Sequence, residues 1–141
     1  MRNRVPVAVH LFFFQADKIL LLRRYNTGWE DGSYSVVAGH VDAGETVTHA
    51  AIREAHEEVG VSIEPNDLAM IHVMNRKSED ERIDFFFVIK RWAGEIANME
   101  PDKCDELAWY PLSSLPNNTI PYVRQSLKNY LDGVLFSEFG W

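Results

Sequence analysis

The chain has very little cysteine, no long hydrophobic run and no excess of basic residues. A single cysteine, Cys104, among 141 residues excludes a disulfide framework within the chain and favours a reducing, cytoplasmic location. No apolar stretch approaches the ~20 residues that span a bilayer, so no membrane segment is expected. Lys and Arg number 14 against 21 Asp and Glu, a net charge of −7. A general binder of nucleic acid or anionic membranes carries a basic field instead, and neither partner is expected.

Length and composition are those of one globular domain. A chain of 141 residues with 46% hydrophobic and 25% charged residues has enough apolar material to bury a core. No repeat, linker or low-complexity tract divides it, so residues 1–141 are expected to form a single domain. Basic residues precede an apolar run at the start. Because no small-residue cleavage site follows that run, we expect a first strand there and not a signal peptide.

Hydrophobic periodicity predicts strands on both sides of one acidic helix. Apolar residues at 47, 51, 55 and 59 form a helical stripe, and Gly60 is a suitable stop, so a helix is predicted over Val47–Val59. The charged segment Asn75–Glu81 is predicted as a turn. The apolar tail from Val134 to Trp141 either packs back on the domain or meets a partner. Strands are predicted at Val5–Phe14, Ile19–Leu22, Tyr34–Val37, Leu68–Met74, Ile83–Ile89 and Leu107–Pro111, and a second helix at Tyr122–Leu131. This order predicts an α/β fold with helices on both faces of a mixed sheet.

Three carboxylates crowd one face of the predicted acidic helix. Glu54, Glu57 and Glu58 stand at i, i+3 and i+4, a spacing that leaves neighbouring Cβ atoms about 5–6 Å apart. Like charges so close to the negative end of a helix dipole destabilise the helix unless something positive offsets them. Arg53 offsets part of this cost. Oxygen-only ligands select hard cations, so the pattern predicts a site for Mg²⁺ or Mn²⁺ and not for zinc.

The loop ahead of this helix is flanked by glycines. Gly39 and Gly44 permit a tight turn and a close approach of backbone to a ligand. A backbone carbonyl there, from Ala38 or Gly39, would complete the oxygen shell of a metal ion. Glu45 lies eight residues before Arg53. We expect it to anchor the loop by holding Arg53 or backbone N–H groups.

The segment from Gly39 to Val61, GHVDAGETVTHAAIREAHEEVGV, resembles the Nudix box of the Nudix (MutT-like) hydrolases. Ala55 and Val61 fill the two aliphatic positions of the box. Its fixed positions are all occupied, by Gly39, Glu45, Arg53, Glu54, Glu57, Glu58 and Gly60. The surrounding strand order and length are also similar to the family. The resemblance therefore implies a Nudix-type α/β/α sandwich and a divalent-metal enzyme that cleaves a nucleoside diphosphate linked to another group.

The resemblance also implies a set of metal ligands. By position, Glu54 and Glu58 are similar to direct ligands, Glu57 lies close behind them, and the Ala38 carbonyl matches a backbone ligand just before the box. The usual ion of the family is Mg²⁺. Acids of a later loop compete for one more ligand position: Glu106, which resembles such a ligand in some members, Glu100, Asp102 and Asp105.

Metal-assisted attack of water on phosphorus is the chemistry that this set implies. The general base is left open between Glu54, Glu57 and a carboxylate from a distant loop. Arg53 and Glu45 resemble the pair that braces the loop and the helix in the family.

Outside the box, four residues are candidates for contacting the substrate. Arg23 and Arg24 follow the second strand, and arginine is well suited to phosphate. Trp29 and Tyr34 lie in or beside the loop before the box, where a base would stack. Ordinary surface charge for the arginines and core or edge packing for the aromatic residues are the alternatives.

The marks of several Nudix subfamilies are absent. The stretch Ile120-Pro121-Tyr122-Val123 stands where enzymes for oxidised purine triphosphates have Trp-Pro-Asp-Asp, so that activity is not expected. A small nucleoside triphosphate, cleaved to monophosphate and pyrophosphate, is the default substrate. The alternatives are a non-catalytic nucleotide-binding or regulatory Nudix domain and an RNA 5′ pyrophosphohydrolase. A homodimer is also left open.

Overall fold

The computed structural model describes all 141 residues and contains two α-helices and eight strands. A short 3-10 helix at Pro65–Asp67 leads into the fifth strand. In chain order the elements are β1 (Val7–Gln15), β2 (Lys18–Arg24), β3 (Tyr34–Ser35), β4 (Val37–His40), α1 (Val47–Val59), β5 (Leu68–Lys77), β6 (Glu81–Ile89), β7 (Cys104–Pro111), α2 (Pro121–Leu131) and β8 (Phe136–Phe139).

The strands form one mixed sheet. Its main order is β3-β2-β1-β6-β5-β8, with β4 beside β1 and β7 beside β2. β1 runs parallel to β6, with Val7 opposite Ile83, and β5 runs parallel to β8. The remaining pairs are antiparallel. The sheet is therefore mixed, as predicted from the sequence.

Two hydrophobic cores lie on opposite faces of this sheet. Successive side chains of a strand point to opposite faces, so Leu11 of β1 enters one core and Phe12 enters the other. The first core packs against α1 through Ala50, Ala51, Ala55 and Val59. The second packs against α2 through Tyr122, Val123 and Leu127. A helix covers each face, which confirms the α/β/α sandwich.

α1 begins and ends where its sequence predicts. Thr46 caps the first turn by accepting a hydrogen bond from the His49 N–H at 3.0 Å. Gly60 ends the helix with a φ of 75°, a left-handed conformation that favours glycine, and its N–H donates to the His56 carbonyl. The helix is thus fixed at both ends, which fixes the position of the glutamates it carries.

The structure corrects several strand boundaries and settles the tail. β2 includes Arg23 and Arg24, which were expected to follow it, and the strand predicted at Tyr34–Val37 divides into β3 and β4. β5 continues to Lys77 and β6 begins at Glu81, so the predicted turn over Asn75–Glu81 was wrong at both ends. β7 begins at Cys104 and not at Leu107. The tail packs back as β8, a strand that the sequence left open. Buried His72 holds it, with its Nδ1 2.7 Å from the Val134 carbonyl oxygen.

Cys104 is a free, buried thiol. Neither helix is long and apolar enough to cross a membrane.

His10, in β1, is a fully buried histidine. Its Nε2 lies 2.9 Å from the Tyr122 hydroxyl, and its ring stacks on Phe86 with centroids 4.5 Å apart. Burial lowers the pKa of His10 from its ordinary 6.5 to about 4, while the nearby Asp84 opposes the shift and Arg76 adds to it. The folded protein therefore holds this imidazole neutral.

We expect the free energy of unfolding to fall as the pH drops from 6.5 to 4, because the unfolded chain protonates His10 and the folded protein does not. The loss at pH 4.5 is about 2 to 3 kcal/mol. His10→Gln cannot titrate and should remove this part of the pH dependence. Urea unfolding of both proteins at pH 7.5 and 4.5 measures the difference. An equal loss in wild type and variant would show that His10 is not responsible.

Candidate active site

The acidic face of α1 lies against β4. The Ala38 N–H donates to Glu58 Oε2 at 3.0 Å, which ties the last turn of the helix to the strand. Glu54, one turn earlier, lies against the next residue of the strand. A Cβ on Gly39 would overlap the Glu54 carboxylate, so glycine is required there for Glu54 to keep its position. Two carboxylates and one strand thus meet at a single point.

A cavity of about 510 Å³ opens beside this contact. We call it the carboxylate cavity; its lining includes Glu54, Glu57 and Glu58 of α1, Ala38, Gly39 and His40 of β4, Arg24, and Glu100 and Lys103 of the β6–β7 loop. The three predicted helix carboxylates therefore lie in one cavity. The structure adds Glu100 from a distant part of the chain.

The carboxylates of this cavity carry more negative charge than the protein neutralises. Burial raises the pKa of Glu58 well above its usual range, and the charges of Glu54 and Glu100 raise it further. Burial also raises the pKa of Glu54, although Arg53 opposes the shift by donating to Glu54 Oε1 at 2.8 Å. Arg53 reaches Glu57 as well, at 3.2 Å, and donates no hydrogen bond to Glu58. A cation in the cavity would relieve the remaining excess.

Arg53 and Glu45 form a bidentate ion pair that braces the loop. Arg53 Nε and Nη2 donate to the two Glu45 oxygens at 2.7 and 2.9 Å, and Nη2 also reaches the His40 carbonyl at 3.0 Å. Glu45 in turn accepts the Asp42 N–H at 3.0 Å. The Arg53 hydrogen bonds are the main cause that lowers the pKa of Glu45 to about 2. The expected anchoring of the loop by Glu45 is present, through both Arg53 and a backbone N–H.

The residues of the carboxylate cavity fit a hard divalent cation. The Val41 N–H donates to the Val7 carbonyl, and hydrogen-bonded and non-hydrogen-bonded pairs alternate along an antiparallel ladder. Ala38 therefore belongs to a non-hydrogen-bonded pair, and its carbonyl points away from β1. That carbonyl and the neighbouring Glu54 and Glu58 offer oxygen ligands only. No three acidic, histidine or cysteine side chains converge as a ready-made metal cluster. Mg²⁺ suits such a site, because it is commonly held by one or two carboxylates and keeps several waters.

Glu106 does not reach the carboxylate cavity, contrary to its predicted role as a metal ligand. Its carboxylate accepts hydrogen bonds from the hydroxyls of Tyr110 and Tyr34. Alternation along β7 is the reason: Leu107 lines the cavity, and Glu106 beside it faces the other side of the sheet. Of the four candidate loop acids, Glu100 alone lines the cavity.

The two adjacent arginines of β2 also point in different directions. Arg24 lines the carboxylate cavity, donates to the Trp29 carbonyl at 2.7 Å and lies 5.0 Å from the centre of the Trp29 ring. Arg23 instead pairs with Asp105 at 2.7 Å and lines none of the cavities described here. Tyr34 is only 7% exposed and belongs to the core beneath α2. Of the four predicted substrate residues, Arg24 and Trp29 lie at a cavity, and Arg23 and Tyr34 do not.

A second cavity of about 510 Å³ adjoins the first. We call it the polar cavity; it is lined by His10, Trp29, Arg76, Arg82 and Tyr122 among others, and it shares Arg24, Ala38, Gly39 and His40 with the carboxylate cavity. Sequence reasoning missed Arg76 and Arg82, because they lie within or beside a stretch of charged residues that looks like an exposed turn. The one signal in the sequence was that the predicted strands on either side, Leu68–Met74 and Ile83–Ile89, are apolar.

Comparison with known proteins gives one consistent family. Residues 4–131 match the family model of the NUDIX domain. The chain is 28% identical over 117 residues to the 8-oxo-dGDP phosphatase NUDT18 of Homo sapiens, covering 82% of this chain and 35% of that protein. It is 29% identical over 128 residues to the ADP-ribose pyrophosphatase of Methanocaldococcus jannaschii, covering 89% of this chain and 72% of that protein.

A solved structure gives the same fold. The MutT NUDIX hydrolase from Burkholderia pseudomallei superposes with a TM-score of 0.81 at 25% identity, covering 89% of this chain and 98% of that one. The chain thus spans nearly all of this structural neighbour, but only about a third of the human relative.

Proposed function

The chain belongs to the NUDIX domain family, and from that premise we propose that it is a Mg²⁺-dependent pyrophosphohydrolase acting on a small nucleoside triphosphate. The products are the nucleoside monophosphate and pyrophosphate. The observation that carries the proposal is the meeting of Glu54, Glu58 and the Ala38 carbonyl at one cavity, with a second cavity of equal volume beside it. The relatives named for 8-oxo-dGDP and for ADP-ribose support a substrate with a nucleoside diphosphate part.

Glu54, Glu58 and the Ala38 carbonyl would hold the cation, for which Mn²⁺ is an alternative. When bound, such an ion lowers the pKa of a water ligand and neutralises charge that develops on the phosphate oxygens. Arg53 holds Glu54 in place through Nη1, and Glu45 holds Arg53. These contacts keep the ligands oriented before the substrate arrives.

Glu100 is our candidate for the group that takes the proton from the attacking water. It lines the carboxylate cavity, and its carboxylate makes no hydrogen bond or ion pair within the protein. Of the alternatives, Glu54 would hold the cation, and Glu57 already accepts a hydrogen bond from Arg53 Nη1 at 3.2 Å. A free carboxylate facing the same cavity is better placed to accept a proton.

A panel of substrates tests the proposed function. Nucleoside triphosphates, ADP-ribose and 5′-triphosphate RNA are incubated with Mg²⁺ or with EDTA, and the products are separated by chromatography. We expect monophosphate and pyrophosphate from free triphosphates, and no reaction in EDTA. Nucleotide binding without metal-dependent turnover would instead indicate a non-catalytic domain. Faster turnover of the RNA than of free nucleotides would indicate the RNA 5′ activity.

Replacing Glu100 with glutamine is expected to lower kcat by about 10²-fold with little change in KM, because general-base catalysis is typically worth that much. Asp102→Asn on the same loop is the matched control, since Asp102 is exposed and does not line the cavity. Glu106→Gln serves as the second control and should leave kcat within about twofold of wild type. Steady-state kinetics of the three variants decide between these acids. A larger loss in either control than in the Glu100 variant would contradict the assignment.

A further inference from the structure

The sheet face beneath α2 is apolar along most of its length and becomes polar where it meets the start of the helix. Phe12 and Phe86 belong to the apolar part. On the same neighbouring strands the side chains then change to His10, Asp84 and Arg76, which are 1%, 0% and 3% exposed. Buried groups of this kind destabilise a fold unless hydrogen bonds replace the water they have lost. Their presence at a cavity wall therefore needs an explanation.

Arg76 is fixed in position, although two of its three nitrogens have no hydrogen-bond partner. Its Nε donates to Asp84 Oδ2 at 2.7 Å, and its guanidinium lies 3.7 Å from the centre of the Tyr122 ring. The two terminal nitrogens of Arg76 have no hydrogen-bond partner in the protein. Asp84 Oδ1, His10 Nδ1 and Arg82 Nε are also buried without a partner. Since almost all buried polar atoms in folded proteins are paired, these atoms call for a polar partner in the polar cavity.

The position of the polar cavity determines what enters it. It shares Arg24, Ala38, Gly39 and His40 with the carboxylate cavity, so a substrate with phosphates in one cavity extends its other end into the second. The charges around the polar cavity balance. Three arginines stand against three acids, namely Arg24, Arg76 and Arg82 against Glu79, Asp80 and Asp84. A balanced cavity suits an uncharged group better than a further phosphate.

We propose that Arg76 is the specificity-determining residue for the nucleobase, and that it selects a base with a ring carbonyl oxygen. The proposal rests on the proposed function, because the place of the phosphates decides which cavity receives the base. Arginine offers donors only, so a carbonyl oxygen completes its hydrogen bonds. An amino group at the same ring position also donates, and it would leave donors facing each other without an acceptor. Asp84 and Tyr122 are positioning residues that hold the Arg76 fork at the cavity wall.

Inosine and adenosine nucleotides test this inference, because inosine has a C6 carbonyl and a protonated N1 where adenosine has a C6 amino group and an unprotonated N1. Binding of the two 5′-monophosphates is measured by NMR titration without metal, and kcat/KM of the two 5′-triphosphates is measured with Mg²⁺. In both measurements we expect the wild type to favour inosine about tenfold. The double variant Arg76→Met/Asp84→Asn removes both charges together, which avoids leaving one buried charge unpaired, and it should lose the preference.

An exposed ion pair away from the polar cavity supplies the control. Lys128 Nζ lies 2.7 Å from Asp132 Oδ2 at the end of α2, and neither residue lines the polar cavity, so Lys128→Met/Asp132→Asn removes the same charges without touching Arg76. This variant should keep the preference for inosine, and melting curves show that both variants fold. Equal binding of the two monophosphates by the wild type, or a preference that survives in the folded Arg76 variant, would overturn the inference. Metal-dependent hydrolysis without base preference refutes this inference alone, and base preference without hydrolysis refutes the proposed function alone.

Discussion

Glu58→Gln is expected to lower kcat by about 10³-fold while the protein stays folded and becomes more stable. Glutamine retains an oxygen that accepts the Ala38 N–H, so the contact between α1 and β4 survives. It removes the carboxylate whose charge burial disfavours, and the free energy of unfolding at neutral pH should therefore rise. Loss of activity together with a gain in stability is the signature of a residue kept for metal binding.

Two measurements separate this outcome from general damage. Mn²⁺ binding, followed by electron paramagnetic resonance, should weaken in the variant together with kcat. Glu95→Gln is the matched control, because Glu95 is exposed in a turn away from the carboxylate cavity, and it should change neither quantity. Full activity of the double variant Glu54→Gln/Glu58→Gln would refute the metal site altogether.

Arg53→Met is expected to have the largest effect on stability, with a loss of about 2–3 kcal/mol in the free energy of unfolding. The substitution removes two hydrogen bonds from Glu45. It also removes the guanidinium group that Glu54 and Glu57 both contact. Activity should fall as well, because the loop that follows β4 loses its brace. Arg53→Lys should recover little, since an ammonium group cannot reproduce the bidentate contact with Glu45.

Arg91→Met provides the comparison for this loss. Arg91 makes a single contact to Asp67 at 3.1 Å, and its side chain is 79% exposed, so its removal should change the free energy of unfolding by less than about 0.5 kcal/mol. Chemical denaturation of the three variants gives the ranking. A lysine variant as stable and active as the wild type would show that charge alone, and not the fork geometry, matters at position 53.

The parts of the site that could be predicted from sequence are those built by neighbours in the chain. The apolar stripe with Gly60 after it predicts both ends of α1, and the i, i+3, i+4 spacing of the three glutamates predicts that they share a face. The contact of Glu45 with Arg53 spans eight residues within one segment. In each case the local geometry of the helix and its loop determines where these side chains lie, and the sheet contributes little.

Residues on strands were harder to place, because each position depends on which face it takes. Arg23 and Arg24 are adjacent, and only Arg24 enters the cavity. The pairing of β2 with β7 shifts register at these two arginines, and such an irregularity follows from the partner strand and not from the local sequence. The same uncertainty of face led to the wrong expectation for Glu106.

Arg76 escaped notice for a related reason. The letters NRKSEDE are typical of a solvent-exposed turn, but the structure keeps Arg76 within β5 and buries it. What holds it there is its ion pair with Asp84 on the neighbouring strand and the ring of Tyr122 from α2. Such contacts join residues far apart in the chain, and no local sequence pattern predicts them.

The division of the site into two adjoining cavities has a consequence for how such a protein can change. Glu58 lies only twenty residues after Ala38, so the proposed metal ligands come from one continuous segment. The polar cavity instead draws Arg76, His10 and Tyr122 from β5, β1 and α2. Substitutions in those elements would change the wall of the polar cavity without moving Glu54, Glu58 or Ala38. Under the proposed function, selection would be able to change the group that the polar cavity accepts while the proposed metal site stays the same.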